Sequence, residues 1–253
     1  MIEADKTYRP HDALAAADAI TDAGLRAYML SIYNKVAGGL LLSAAVAFAT
    51  SGVPGVRDHL VRAAATAAPA HPPVLTGLGL AVLFGPLLAM LFVAPVFRRP
   101  TAGRTAALYW SVAALVGGSL GLVTLSFTGV SVAMAFTVSA LAFGSLSLFG
   151  YTAKRDLTAF GGFLLMGVTG LIGALVLNLV LHSPLIALVT NAVGVLVFGG
   201  LVARDTQRLK LAYASCAGDP ELTSVTTNSG ALSLFLNFIN FFQFLLLMSG
   251  DRR

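Results

Sequence analysis

Ser233, Asn237 and Asn240 fall at i, i+4 and i+7 of the last long apolar stretch of this chain, with Gln243 one further step along. On an α-helix these positions share one face, a stripe of hydroxyl and amide groups along an otherwise apolar rod. Such a stripe cannot face lipid cheaply, so it faces other helices or water. Two readings stay open. The groups are amide glue between helices, worth roughly 0.6 kcal/mol per contact, or they line a polar path. Upstream, in Leu201-Val-Ala-Arg-Asp-Thr-Gln-Arg208, a single acidic residue sits among basic neighbours. If the preceding helix continues through it, Asp205 projects towards the same stripe. From spacing alone the plainer reading is a surface carboxylate paired with Arg204 or Arg208.

Other chemistry finds little support. Gly117-Gly-Ser-Leu-Gly121 satisfies the Gly-x-Ser-x-Gly pattern of a nucleophile elbow. That motif requires a strand-to-helix turn and an oriented histidine, whereas here it lies inside an apolar helix and all four histidines lie outside such helices. His59, His71 and His182 match no metal-ligand spacing. Asp205 is the one weak metal candidate, and no phosphate-binding glycine loop is present. The reading is of a protein that is not an enzyme, has no resident cofactor and does not bind nucleic acid.

The elements that position these residues are spanning helices. From Thr105 to Ala153, and again from Leu157 to Ala203, the chain carries no Asp, Glu, Lys or Arg. A spanning helix needs about 20 apolar residues, so each run is a helical hairpin. The first folds at Ser126-Phe-Thr-Gly129 and the second at His182-Ser-Pro184. Hydrophobic residues make up 57% of the chain and charged residues only 11%, with mean hydropathy +0.85; soluble domains carry about a quarter charged residues. This composition excludes a water-soluble fold. The fold class is an all-α integral membrane protein, a bundle of seven transmembrane helices. The spans are expected near 28–50, 74–97, 106–127, 130–151, 157–181, 184–203 and 230–249. They form one membrane domain, 28–253, after a tail of residues 1–27 that lacks the continuous apolar core of a signal peptide. Asp22 and Arg26, spaced i,i+4 in that tail, could pair on a short surface helix.

Charge gives the expected orientation. With the N-terminus in the cytoplasm, Lys6, Arg9, Arg26, Lys35, Arg98, Arg99, Arg104, Lys154, Arg155, Arg204, Arg208 and Lys210 share that side. Arg57, Arg62, Arg252 and Arg253 face the other. Twelve of the 16 basic residues inside fits the positive-inside rule. Small residues recur at helix-packing spacing: Gly39, Ser43 and Ala47 in the first span, Gly117 and Gly121 in the third, Gly170 and Ala174 in the fifth. Pro86 and Pro95 predict a kink or break in the second span. The segment from Gly52 to Pro73 is the longest external loop. The single cysteine, Cys216, permits no internal disulfide.

Four motifs occur in order: Ser147-Leu-Phe-Gly-Tyr-Thr-Ala-Lys-Arg-Asp-Leu-Thr158, Phe163-Leu-Leu-Met-Gly167, Arg204-Asp-Thr-Gln-Arg208 and Ala231-Leu-Ser-Leu-Phe-Leu-Asn-Phe-Ile-Asn240. Together, over about Tyr28 to Met248, the chain resembles the Bax inhibitor-1 family, in its bacterial inner-membrane branch. The resemblance implies six helices around a central seventh, and a pH-sensitive calcium leak governed by two aspartates near the cytoplasmic mouth. The first aspartate matches Asp205. The second position is Asn237 here, a departure from the family's Leu-Tyr-Leu-Asp-Phe-Ile-Asn pattern. Two facing carboxylates share protons because both cannot ionise without repulsion; a carboxylate facing an amide lacks that coupling. Calcium also prefers several strong oxygen ligands. The expectation is therefore a cation leak, with Ca2+ as a possible transported ion, whose pH latch is weakened or altered. Asp205, Ser233, Asn237 and Asn240 form its pathway or latch, and Arg98, Arg99 or Arg204 supplies the counter-charge. The resemblance also implies an alternative, an interaction partner that restrains a membrane-anchored AAA protease through residues 1–27. On either reading the chain sits in a lipid bilayer.

Overall fold

The computed structural model describes residues 10–62, 74–91 and 93–251, with side chains described from Asp22 onward. The helices are α1 (Pro10–Gly52), α2 (Pro54–Leu60), α3 (Gly77–Met90), α4 (Val93–Arg98), α5 (Ala102–Thr124), α6 (Gly129–Thr152), α7 (Gly161–Leu181), α8 (Pro184–Cys216) and α9 (Pro220–Ser249). Seven segments among the described residues are long and apolar enough to cross a membrane, α3 and α4 counting as one. Each expected span falls on one of them. The Gly52–Pro73 segment carries α2, and the strand Val61–Arg62 pairs antiparallel with Val74–Leu75. Residues 63–73, including His71, lie outside the described residues.

Local chemistry sets the helix ends. Thr128 caps α6 by accepting the Ser131 N–H at 3.2 Å, and Ser183 caps α8 by accepting the Ile186 N–H. His182, at φ 49°, closes α7 in the left-handed conformation. The second span breaks at Leu91. Proline removes the N–H that would bond the carbonyl four residues back and its ring clashes with that carbonyl; for Pro95 that carbonyl is Leu91's. Pro86 is carried inside α3.

Three helices outrun their expected spans. α1 is continuous from Pro10, so the expected tail 1–27 is helical from that residue, and residues 1–9 lie outside the described residues. No proline interrupts it until Pro54, and at about 1.5 Å per residue it exceeds the roughly 30 Å apolar core about twofold. α8 continues to Cys216, and the chain turns only at Gly218, whose φ of 92° is open to glycine. α9 begins at Pro220, ten residues before the apolar stretch, because Asp219 accepts the Leu222 N–H as N-cap and proline fits the first helical position.

α9 lies inside the bundle, packed principally against α1, α5, α6 and α8. α3 packs on α5 and α7 on α8, so four helices, rather than the six expected, form its main surroundings. α5 is as enclosed as α9. Tyr109 of α5 and Phe235 of α9, both fully buried, meet edge to face between them, while Phe238 packs edge-on against Phe136 and Phe143 of α6.

The α1–α5 contact is made by small residues. A Cβ at Gly117 would lie 2.7 Å from the Ser43 Cα, and one at Gly121 would lie 3.0 Å from the Ala47 Cα. Ser43 Oγ donates to the Ala113 carbonyl at 2.7 Å across the same seam. With no hydrophobic force to separate helix from lipid, this close backbone approach supplies the attraction. Gly170 differs from its expected role: nothing lies within 4 Å of its would-be Cβ, and it is exposed on the outer side of α7. Gly117→Val should therefore cost about 1 to 3 kcal/mol by overpacking, while Gly170→Val should stay within about 0.5 kcal/mol of the parent. Thermal unfolding of purified protein in detergent measures both.

Candidate functional site

Asp205 sits where α8 crosses α9, and its side chain is almost wholly enclosed, the residue being only 6% exposed. Oδ2 accepts from Ser233 Oγ at 2.5 Å and from Asn237 Nδ2 at 3.0 Å. Oδ1 faces the Arg204 guanidinium, whose Nη1 lies 3.3 Å away. The plain reading of a surface carboxylate is thus corrected: Asp205 has the Arg204 partner expected but is buried. The cause is the continuation of α8 past residue 203, which turns Asp205 inward while its neighbour reaches outward to lie against Gly161. A hydroxyl, an amide N–H and a guanidinium together match an ionised carboxylate, which only accepts.

The next two residues tie α8 to other elements. Thr206, fully buried, donates to Ser147 Oγ of α6 at 3.5 Å. Gln207 closes the turn between α6 and α7. Its Nε2 donates to the Ala153 and Arg155 carbonyls at 3.2 and 2.8 Å, and its Oε1 accepts the Leu157 N–H at 2.7 Å. Asp205-Thr206-Gln207 therefore reaches α9, α6 and the α6–α7 turn in three consecutive steps.

The other expected residues are placed differently. Asn240 Nδ2 donates to the Leu236 carbonyl of its own helix at 2.8 Å, so the amide stripe is not one continuous network. Arg98 ends α4, and the Arg99 carbonyl faces Arg104 Nη1 at 3.5 Å. The guanidinium bonded to Asp205 is Arg204's. Asp22 and Arg26 lie on the continuous α1 rather than on a short helix of their own.

A second polar cluster escaped the sequence reading. Asn228, 2% exposed, accepts from Lys35 Nζ at 2.5 Å and donates to the Ala102 carbonyl at 3.0 Å and to Thr105 Oγ1 at 2.9 Å. Glu221 accepts the Ala102 N–H at 2.7 Å, an anion at the positive end of α5. The signal was Asp219-Pro-Glu221, an N-cap sequence that starts α9 early enough to carry Asn228 against α1 and α5.

In the α6–α7 turn, the Thr158 side chain and its backbone N–H, the latter 2.8 Å from Oδ1, hold the exposed Asp156 carboxyl below its ordinary range. A depressed folded value means that any stability it lends is present above its unfolded pKa of about 3.9 and is lost as pH falls through the folded one. Thr158→Ala should move the Asp156 midpoint upward in an NMR titration. An unmoved midpoint would remove the Thr158 hydroxyl as a cause and leave its backbone N–H.

Fold and site define a polytopic α-helical membrane protein with a hydrogen-bonded carboxylate inside its bundle. The family profile described as "Inhibitor of apoptosis-promoting Bax1" matches residues 25–253. The chain belongs to this Bax inhibitor family. It is 52% identical over 239 residues to an uncharacterized protein of Caulobacter vibrioides, covering 94% of this chain and 93% of that one. It is 38% identical to an uncharacterized protein of Rickettsia prowazekii, with 92% of each chain covered. It is 35% identical to the inner membrane protein YbhL of Escherichia coli, over 91% of this chain and 94% of that protein.

Proposed function

We propose that the protein is a passive cation leak of a bacterial inner membrane, with its basic loops on the cytoplasmic side and its conductance governed where Asp205 joins α8 to α9. The observation that carries this reading is the buried Asp205 carboxylate, bonded to Ser233 and Asn237 on the facing helix. Ionisable groups inside a membrane bundle are costly and tend to mark ion paths and proton relays. The basic residues concentrate in the Arg98–Arg104, Lys154–Arg155 and Arg204–Lys210 regions, and the positive-inside rule puts that face in the cytoplasm. The printed name of the Escherichia coli relative supports the choice of membrane.

The carboxylate ties α9 to α8, and on this reading that tie is the closed state. Any change that removes its charge, whether a proton or the Asp205→Asn substitution, weakens the bonds from Ser233, Asn237 and Arg204 together. Loosening of α8 from α9 then opens the polar face of α9. The site favours monovalent and divalent cations without strong selection between them. One carboxylate with neutral donors is a poor calcium site, and no group of three or more His, Cys, Asp or Glu occurs together among the described residues.

Calcium and potassium flux into liposomes holding the purified protein tests the reading. Asp205→Asn should change the leak severalfold while the protein remains folded. Asn237→Asp, which places two carboxylates face to face, should give a steeper response between acid and neutral pH than the parent has. Equal, non-zero flux in all variants at every pH would remove Asp205 as the control point, and no flux in any variant would sink conduction. The latter would favour instead the restraint of a membrane-anchored AAA protease.

A further inference from the structure

On the face of the membrane opposite Lys154 and Arg155, α7, α8 and the end of α9 line an open-sided cavity of about 800 Å³. Asn178, His182, Ser183, Asn191, Leu247 and Met248 are among the residues that line it. Asn178 and Ser183 are engaged with each other, the Asn178 side-chain oxygen accepting the Ser183 N–H at 2.9 Å. Asn191 is different. It lies seven residues into α8, about 10 Å below the hairpin, is only 7% exposed, and has no hydrogen bond among the described residues. A carboxamide at that depth without a partner costs several kcal/mol in an apolar setting. Water in the cavity removes that cost, and a polar cavity of this size readily holds it.

The antiparallel pair α8 and α9 orders what lies between this cavity and Asp205. Asn191 and Asp205 are 14 residues apart on α8, about 21 Å along the axis. Between them, Phe244 of α9 lies against Gly194 and stacks on Phe198, with ring centroids 5.7 Å apart and planes at 27°. A Cβ at Gly194 would fall 2.5 Å from the Phe244 ring, so the glycine is the slot that admits it. Leu171 and Val197 close around the same ring. On one side of this apolar layer are Asn237 and Asp205, on the other Asn191 and the cavity.

We infer that the cavity is a water-filled vestibule holding water and small dissolved cations, and that Phe244 seated at Gly194 is the seal between it and the Asp205 site. The role of the seal rests on the conduction reading, whereas the vestibule stands without it. Opening of the path then requires two events in series, release at Asp205 and displacement of Phe244.

The test uses single cysteines in a Cys216→Ser background and a membrane-impermeant thiol reagent applied to intact cells and to inverted vesicles. Asn191→Cys should react from the hairpin side severalfold faster than Val189→Cys, which lies at similar depth but is 54% exposed on the outer surface of the helix. Equal rates would overturn the vestibule. Ser233→Cys should be protected from that side while Phe244 is present and become reactive when Phe244→Ala or Phe198→Ala is added. Two independent substitutions guard against a single misfolded variant. Reactivity that is the same with and without both aromatic rings would overturn the seal. Liposome flux separates this from the larger reading. If the rings control labelling but their removal adds no flux even when combined with Asp205→Asn, the vestibule and seal stand and conduction fails.

Discussion

A carboxylate placed inside a membrane bundle must be satisfied by the protein, and the structure around α9 follows from that requirement. Asp205 is held by donors on its own helix and on the facing one, so α8 and α9 cannot separate without leaving a buried anion short of partners. Losing a partner to a buried charge is among the most expensive single events in a protein interior. Thr206 and Gln207 extend the same grip to α6 and to the α6–α7 turn. The opposite side of α9 is held by Asn228, which joins it to Lys35 and to the start of α5. Near the basic face the central helix is therefore fixed by polar contacts from two directions.

Beyond this polar end, the bundle relies on close packing. α1 and α5 approach through Gly117 and Gly121, with Phe235 of α9 against Tyr109 beside them and Phe238 packed on Phe136 and Phe143 of α6. Lipid offers no hydrophobic incentive for such contacts, so they rest on dispersion between closely fitted backbones and rings. On the conduction reading, the division suits a protein that opens at one junction. Small-residue seams carry no charge, whereas the Asp205 junction rests on the bonds made by one carboxylate. Motion is then expected between α8 and α9 rather than between α1 and α5.

Seven spans were legible in the sequence because uninterrupted apolar runs are a direct reading of bilayer thickness. Helix ends that leave the membrane were less so: Leu209, Tyr213 and Cys216 extend α8 by burying one face of it, a tertiary effect that mean hydropathy does not register. The burial of Asp205 was visible only conditionally, since it depended on that extension. Ser233 and Asn237 share a face because helical periodicity requires it, but periodicity could not tell that Asn240 would bond to its own backbone. Asn228 was hidden in a polar stretch that reads as a loop by composition, although Asp219 and Pro220 mark a helix start. Gly170 showed the converse error, since small-residue spacing does not say which face of a helix meets a neighbour.

The most direct test of the central claim is a double-mutant cycle on Asp205→Ala and Ser233→Ala, read as unfolding free energy in detergent. The claim is that a charge-assisted bond between these side chains holds α9 to α8. It predicts a coupling energy of roughly 1.5 to 3 kcal/mol, the range for hydrogen bonds to charged groups. Additive effects of the two substitutions, with coupling near zero, would contradict it and leave Asp205 a buried residue without a hold on the central helix.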